Sequence, residues 1–576
     1  MIVSAATGCQ ATPATHADNA ASTTTTTPAT RGAVATVNRI ATEAGLAQLR
    51  AGGNAIDAAV AAALTLGVVD GHNSGIGGGC FVLIRTADGR VLAIDGREMA
   101  PGKATRDMYL EDGKPVPGLS LIGPLAVGIP GSLMAYEQAL HVAGTRSLAS
   151  ILAPAADLAA NGFAIDEEYV KCIEKEAATI AGHAGIRALL LDEAGKPWPV
   201  GHVLKQDDLA ATYRAIARDG IGHFYGGAFA KAVGEWMAAN GGIITANDFA
   251  NYRVGNREAV HSTYTTRTVG EIEIHGFPPP SSGGVHVAQI LNILDARPDW
   301  KTADATLRTH LLIEAMRLAF ADRAQWLGDP DFSDVPRGLV SKEYAAQLAA
   351  SIDPAKANPG VAHGTPPGAD KDVFRGHTTH IAAADALGNM VAITTTVNTT
   401  FGSKVVVPGT GVILNNQMDD FSSQPGVPNV FGLVGAEANS IAPGKRPLSS
   451  MSPTIVLAHG KPLMTLGGAG GPRIITAVLQ TLLRHLDDGL PLEQAINAPR
   501  VHQQWKPAEV FAEPEFDAAT RSWLTAHGHV VKDRPRDGMG VVQAIRFNDD
   551  GTFVTVSDPR VPGDRTGRGG TIHGGE

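Results

Sequence analysis

The sequence predicts an α+β fold, and three features carry that expectation. Residues 38–50 and 55–66 have helical spacing and join at Gly52-Gly53-Asn54. Cys80-Phe81-Val82-Leu83-Ile84 reads as a strand. Residues 378–385 and 390–398 are two β-rich runs around Ala386-Leu387-Gly388-Asn389, which reads as a hairpin.

The chain has the material for a large core. Of its 576 residues 44% are hydrophobic, and its 67 glycines and 35 prolines stay below low-complexity levels. Aromatics are only 5%, so alanine, valine, leucine and isoleucine must build that core. The length leaves room for about two to five domains.

Residues 1–31 contain Ser22-Thr23-Thr24-Thr25-Thr26-Thr27-Pro28, which cannot bury a face, so a disordered tail or a remnant export signal with its linker is expected. The small residues before Cys9 resemble the end of a bacterial lipoprotein signal, but the apolar part is short and lacks a basic start. A lipid-anchored Cys9 on a periplasmic or otherwise exported protein and an incidental cysteine both stay open.

From Val34 the pattern becomes regular. Gly75-Ile76-Gly77-Gly78-Gly79 precedes a strand, whereas a dinucleotide fingerprint follows one, so close backbone packing is expected there and not phosphate binding. Residues 90–95 should pair with 80–84 across Asp88-Gly89. Residues 147–240 read as mostly helical, 277–284 as a rigid loop before helices reaching about residue 350, and 353–370 as a linker. If the hairpin turn centres on Leu387-Gly388, Thr379 faces Thr396 and Thr378 lies beside Val397. Three hydroxyls and the Asn398 amide then gather at one end, although β-propensity alone also accounts for threonines there.

Several function classes are excluded. The formal charge of −10 is spread along the chain, which disfavours nucleic acid as a partner. Cys9, Cys80 and Cys172 form no C-x-x-C pair. No uncharged apolar run reaches the ~18 residues of a membrane span. There is no G-x-S-x-G, S-x-x-K, H-E-x-x-H or P-loop, and the 19 histidines show no metal-ligand spacing, so neither metal nor cofactor is expected.

Seven motifs in order resemble the γ-glutamyltransferase (glutathione hydrolase) family of N-terminal-nucleophile hydrolases, over about residues 36–559. They are Arg97-Glu98-Met99-Ala100-Pro101, the 278–284 loop, Thr378-Thr379-His380, Thr396-Val397-Asn398-Thr399-Thr400-Phe401-Gly402, Asn415-Asn416-Gln417-Met418-Asp419-Asp420-Phe421, the 445–454 segment and Gly470-Gly471. The resemblance implies an αββα four-layer sandwich formed jointly by two fragments of a self-cleaved precursor. The cut falls between His377 and Thr378, separating a large subunit (32–377) from a small catalytic one (378–576), which stay together as a heterodimer.

It also implies the chemistry. A threonine hydroxyl is a poor nucleophile, but once Thr378 is an N-terminus its α-amine, with a pKa near ~7.7–8, can take the hydroxyl proton. Thr396 would orient Thr378, and the N–H groups at Gly470 and Gly471 would form the oxyanion hole. Arg97, with Ser449 and Ser450, would hold the donor's α-carboxylate, and Asp420, with Gln417 and Asn398, its α-ammonium. The implied activity is transfer of a γ-glutamyl group from glutathione or related donors to water, amino acids or peptides. A cephalosporin-acylase-like amide hydrolase and an uncleaved binding protein are the rivals. Two residues depart from the family pattern: Phe431, where many bacterial members carry a tyrosine that latches a lid onto the asparagine matching Asn398, and Pro472, where serine is common.

Overall fold

The computed structural model describes residues 31–368, 380–561 and 566–572. Among them thirteen strands build two large sheets. In chain order they begin with β1 (Gly32–Ala35), β2 (Gly79–Arg85), β3 (Val91–Gly96), β4 (Gly255–Arg257), β5 (Val260–Thr265), β6 (Glu271–Gly276) and β7 (Ile381–Asp385). They continue with β8 (Met390–Thr396), β9 (Thr454–Ala458), β10 (Lys461–Ala469), β11 (Val541–Phe547), β12 (Phe553–Ser557) and β13 (Gly569–Ile572). The first sheet runs β13-β1-β7-β8-β2-β3-β4, the second β12-β11-β10-β9-β6-β5.

The apolar runs are strands with both faces covered. In β2, Cys80, Val82 and Ile84 join a core shared with helices, while Phe81 and Leu83 join a core shared with the second sheet. In β8, Val391 and Ile393 take the first side and Met390 and Ala392 the second. Burial on both faces hides the period of two behind a continuous apolar run.

Helices α1 (Arg39–Arg50), α2 (Ala55–Val69) and α3 (Ser132–Ala143) cover the outer face of the first sheet. Helix α4 (Gly283–Asp295) packs on the second sheet, α5 (Ala305–Trp326) packs on α4, and α6 (Arg473–Leu482) packs on β10 and β11. The expected αββα sandwich is therefore the observed architecture. Helix α2 starts at a reciprocal cap between Asn54 and Asp57 and runs three residues past the expected end. Its small alanines let it lie buried against β7 and β8. The hairpin across Asp88-Gly89, the helices within 147–240 and the absence of helix or strand in 353–368 also match expectation.

The second hairpin has a different register. Ile381 pairs with Ile393 and Ala384 with Met390, one residue away from the expected pairing. The cause is Asp385, which closes a three-residue loop by accepting from the N–H groups of Leu387 and Asn389 at 3.0 and 3.1 Å. Its other oxygen accepts from Asn389 Nδ2 at 2.7 Å and from the Ala55 N–H at 3.0 Å, tying the turn to the start of α2. Thr378 and Thr379, whose pairing was expected here, lie outside the described residues.

The glycine run works as backbone packing, as expected. A Cβ on Gly77 would collide with the Ile413 carbonyl, and one on Gly78 with the Thr396 carbonyl. Only glycine lets β2 and the chain leaving β8 approach this closely.

Candidate active site

The chain re-enters the description at His380, just before β7, and His380 lines a cavity of about 720 Å³. Thr396, Asn398, Gln417, Asp420, Ser449 and Ser450 line it too, as do Gly470 and Gly471. Eight sequence-expected residues from four chain regions thus share one chamber. His377 and Thr378 lie outside the described residues. Burial pushes the His380 ring down to about 3, so it is neutral at ordinary pH.

Thr396 ends β8, and its hydroxyl accepts from the Asn398 N–H at 2.7 Å. That bond steadies Asn398, which sits at φ 80°, in the left-handed region asparagine tolerates. The Asn398 side chain donates to the Asn416 carbonyl at 3.1 Å.

Gly470 and Gly471 form the corner between β10 and α6, at φ 129° and 61°. A Cβ on Gly470 would sit 2.8 Å from Gly540 Cα, and one on Gly471 2.8 Å from the Phe431 ring. Among the described residues neither N–H has a hydrogen-bond partner. Pro472 caps α6 at φ −60°, where a missing N–H costs nothing. The proline departure is therefore compatible with the corner. Phe431 lies over Gly471, and the Asn398 amide that a tyrosine hydroxyl would engage bonds to Asn416 instead.

The charged residues are arranged in depth. Asp420 reaches the cavity, and Arg97 stands behind it, wholly buried, donating from Nη2 to Asp420 Oδ2. Arg97 Nε also donates to the Pro447 carbonyl at 3.3 Å, and Nη1 lies 3.8 Å from Glu98 Oε2. Burial raises the Asp420 carboxyl to about 6 against the pull of Arg97. Burial raises Glu98 further, to about 8, and among the described residues its oxygens have no hydrogen-bond partner. The two expected charge sites are thus one ion pair in the structure. The Ser450 hydroxyl accepts from Arg323 Nη2 at 3.0 Å, and the Ser449 backbone is pinned to Pro280 and Ser282. Gln417 is buried with Oε1 unpartnered among the described residues.

A family model described as Gamma-glutamyltranspeptidase matches residues 41–567. The chain belongs to that family. It is 42% identical over 545 residues to the glutathione hydrolase proenzyme of Escherichia coli (strain K12), covering 93% of this chain and 92% of the relative. It is 41% identical to the Acylase ACY 1 proenzyme of Pseudomonas sp. (strain SE83), covering 92% and 93%. Among solved structures, cephalosporin acylase from Bacillus halodurans superposes with a TM-score of 0.81 at 27% identity, covering 98% of each chain. Helicobacter pylori gamma-glutamyltranspeptidase matches at 37% identity and TM-score 0.54, covering 56% of this chain and 92% of that one.

Two buried features of this gamma-glutamyltranspeptidase-family chain escaped the sequence reading. Arg323, on α5, is buried, lines the cavity and is lowered to about 10 by that burial while Asp420 pulls it back up. Glu98 is the second; it does not line the cavity but lies wholly buried beside Arg97, 3.8 Å from Nη1. Nothing local marks either one: Arg323 lies in an ordinary helical run, and Glu98 looks like any carboxylate beside an arginine.

Proposed function

We propose that the chain is a self-processing γ-glutamyltransferase and glutathione hydrolase. What carries the reading is the cavity, which gathers Thr396, Asn398, Asp420 and two unpartnered glycine N–H groups beside His380. Thr378 is two residues from His380, and two residues reach at most about 7 Å, so the proposed nucleophile can serve this chamber.

In the proposed reaction the Thr378 hydroxyl first attacks the His377 carbonyl, expelling the Thr378 nitrogen as a free α-amine, and water hydrolyses the resulting ester to leave subunits 32–377 and 378–576 as one heterodimer. The freed α-amine of Thr378 then takes the hydroxyl proton as the oxygen attacks the γ-carbonyl of the donor. The N–H groups of Gly470 and Gly471 stabilise the oxyanion, an effect worth about 10²–10³ in rate for one donor. The amine leaves with a proton, and water or an acceptor amine releases the γ-glutamyl group from its ester. Arg97, Ser449 and Ser450 hold the α-carboxylate, and Asp420, Gln417 and Asn398 the α-ammonium. The incomplete signal around Cys9 and the Thr-rich run support an exported protein; no described helix is long and apolar enough to cross a membrane.

The acylase relatives favour a second reading, an amide hydrolase with another acyl preference. Two measurements separate the readings. On a denaturing gel the full 59.7 kDa chain, cut once after residue 377 with residues 1–31 still attached, should give bands of about 39 and 21 kDa, and Thr378→Ala a single band. γ-Glutamyl donors should outcompete glutaryl ones. Uncut but active wild-type protein ends the nucleophile assignment, and a glutaryl preference ends the substrate assignment.

A further inference from the structure

A second cluster lies on the edge of the second sheet, and none of its residues lines the cavity. β5 is the edge strand, and the antiparallel register sets His261 directly opposite His275 on β6. Glu273 is two residues before His275 and shares its face. Val260, Ser262 and Tyr264 are buried on the other face, leaving exposed His261 and half-buried Glu273 and His275 together on the opposite one. The two imidazole rings are 5.0 Å apart, and His261 Nε2 is 3.5 Å from Glu273 Oε2.

An ordinary surface ion pair would account for His261 and Glu273, and such a pair contributes about 0–1 kcal/mol. It does not account for His275. Its Nε2 is buried and, among the described residues, has no hydrogen-bond partner. Each residue offers one ligand atom, and the three atoms all lie within 4.8 Å of one another. Zinc bound at about 2.0–2.2 Å to each would hold them about 3.4 Å apart, a contraction the exposed His261 ring can supply by rotation. We propose that His261, Glu273 and His275 form a binding site for one zinc-class divalent ion, with water completing the coordination.

The electrostatic surroundings suit that assignment. Glu273 places a carboxylate beside both imidazoles, a donor set suited to a divalent cation. Arg85 is the opposing cation, but it is committed to the Gly388 carbonyl at 2.8 Å, and Glu273 offsets it at the site. Two imidazoles and a carboxylate favour zinc or its transition-metal neighbours over calcium and magnesium, which prefer oxygen. Bound metal would cross-link the edge strand to its neighbour, a structural role away from the chemistry.

The test uses untagged full-length protein, treated with chelator and exchanged into metal-free buffer. Calorimetric titration with zinc chloride should show one equivalent bound, and cobalt chloride should give a tetrahedral visible absorption band. Zinc should raise the thermal midpoint, whereas magnesium and calcium should leave it unchanged. His261→Ala and Glu273→Gln, both changes at solvent-accessible positions, should each weaken zinc at least about tenfold and abolish the midpoint shift. γ-Glutamyl transfer should be the same with and without zinc. Failure of the wild type to take up zinc, or equal uptake by wild type and both variants, overturns the assignment.

Discussion

Replacing Glu98 by glutamine should stabilise this protein at neutral pH, although Glu98 stands beside an arginine. Burial raises the carboxyl from 4.5 to about 8, so the folded protein holds a proton there that the unfolded chain releases. Between those two values the native state binds more protons than the unfolded one, so stability falls as pH rises through the window. At pH 7 the free acid would be ionised by about 2.5 pH units, and at 1.36 kcal/mol per unit keeping Glu98 protonated costs about 3 kcal/mol. Glutamine has the same shape and never requires that proton.

The difference between variant and wild type should therefore be small near pH 4.5, grow through neutrality and level off near pH 8. Unfolding entropy is about 2.1 cal/mol/K per residue, so for 576 residues 3 kcal/mol corresponds to a midpoint shift of about 2–3 °C. The amide's extra N–H adds a constant offset, which is why the pH trend rather than one value is diagnostic. Scanning calorimetry at one scan rate from pH 4.5 to 8.5 reads it. A difference that stays flat across the range would mean that Glu98 is ionised throughout and paired with Arg97 at 3.8 Å.

Two further outcomes follow from the cavity. Burial raises Asp420 to about 6, so kcat/KM for γ-glutamyl donors should fall as pH drops through that value, in addition to the limb expected from the proposed Thr378 amine. Asp420→Asn should erase the lower limb and reduce kcat/KM about 10- to 100-fold, as a charge-assisted hydrogen bond worth about 1.5–3 kcal/mol predicts; a persisting limb would reassign it. Gly78→Ala should push the Thr396 carbonyl away and impair both self-cleavage and activity, whereas Gly222→Ala, where a Cβ meets nothing within 4 Å, should leave the cut intact. Band patterns on a denaturing gel distinguish the two.

Local pattern made much of this fold legible. The helices either side of Gly52-Gly53-Asn54 and the β2–β3 hairpin follow from capping, spacing and turn chemistry within a few residues. The glycine run before β2 was legible because its order relative to the strand excludes phosphate binding. What depended on distant partners was not. The hairpin register turned on whether Asp385 would close the loop with its side chain, and Asp385 is held there by Ala55, 330 residues away. β1 and β13 come from opposite ends of the chain and pair with each other. Histidine spacing along the sequence could not reveal His261 beside His275, because only strand register makes them neighbours. Arg97 and Asp420 could each be picked out by charge, but their mutual bond is a tertiary fact.

That bond bears on substrate choice. Arg97 is wholly buried and Asp420 nearly so, and each supplies the charge that makes the other's burial tolerable. Stripping one partner from a buried pair costs about 3–5 kcal/mol. A donor carrying only a carboxylate would compete for Arg97 and leave Asp420 uncompensated, while a donor carrying only an ammonium would do the reverse. A head group with both charges divides the pair and replaces each lost contact, so the charge balance of the pocket is unchanged. The selectivity of the proposed γ-glutamyl site over a glutaryl one then comes less from adding an attraction than from avoiding an orphaned charge. Glu98, held neutral near pH 7, fits that picture, since it adds no free anion that would hold an ammonium without its carboxylate.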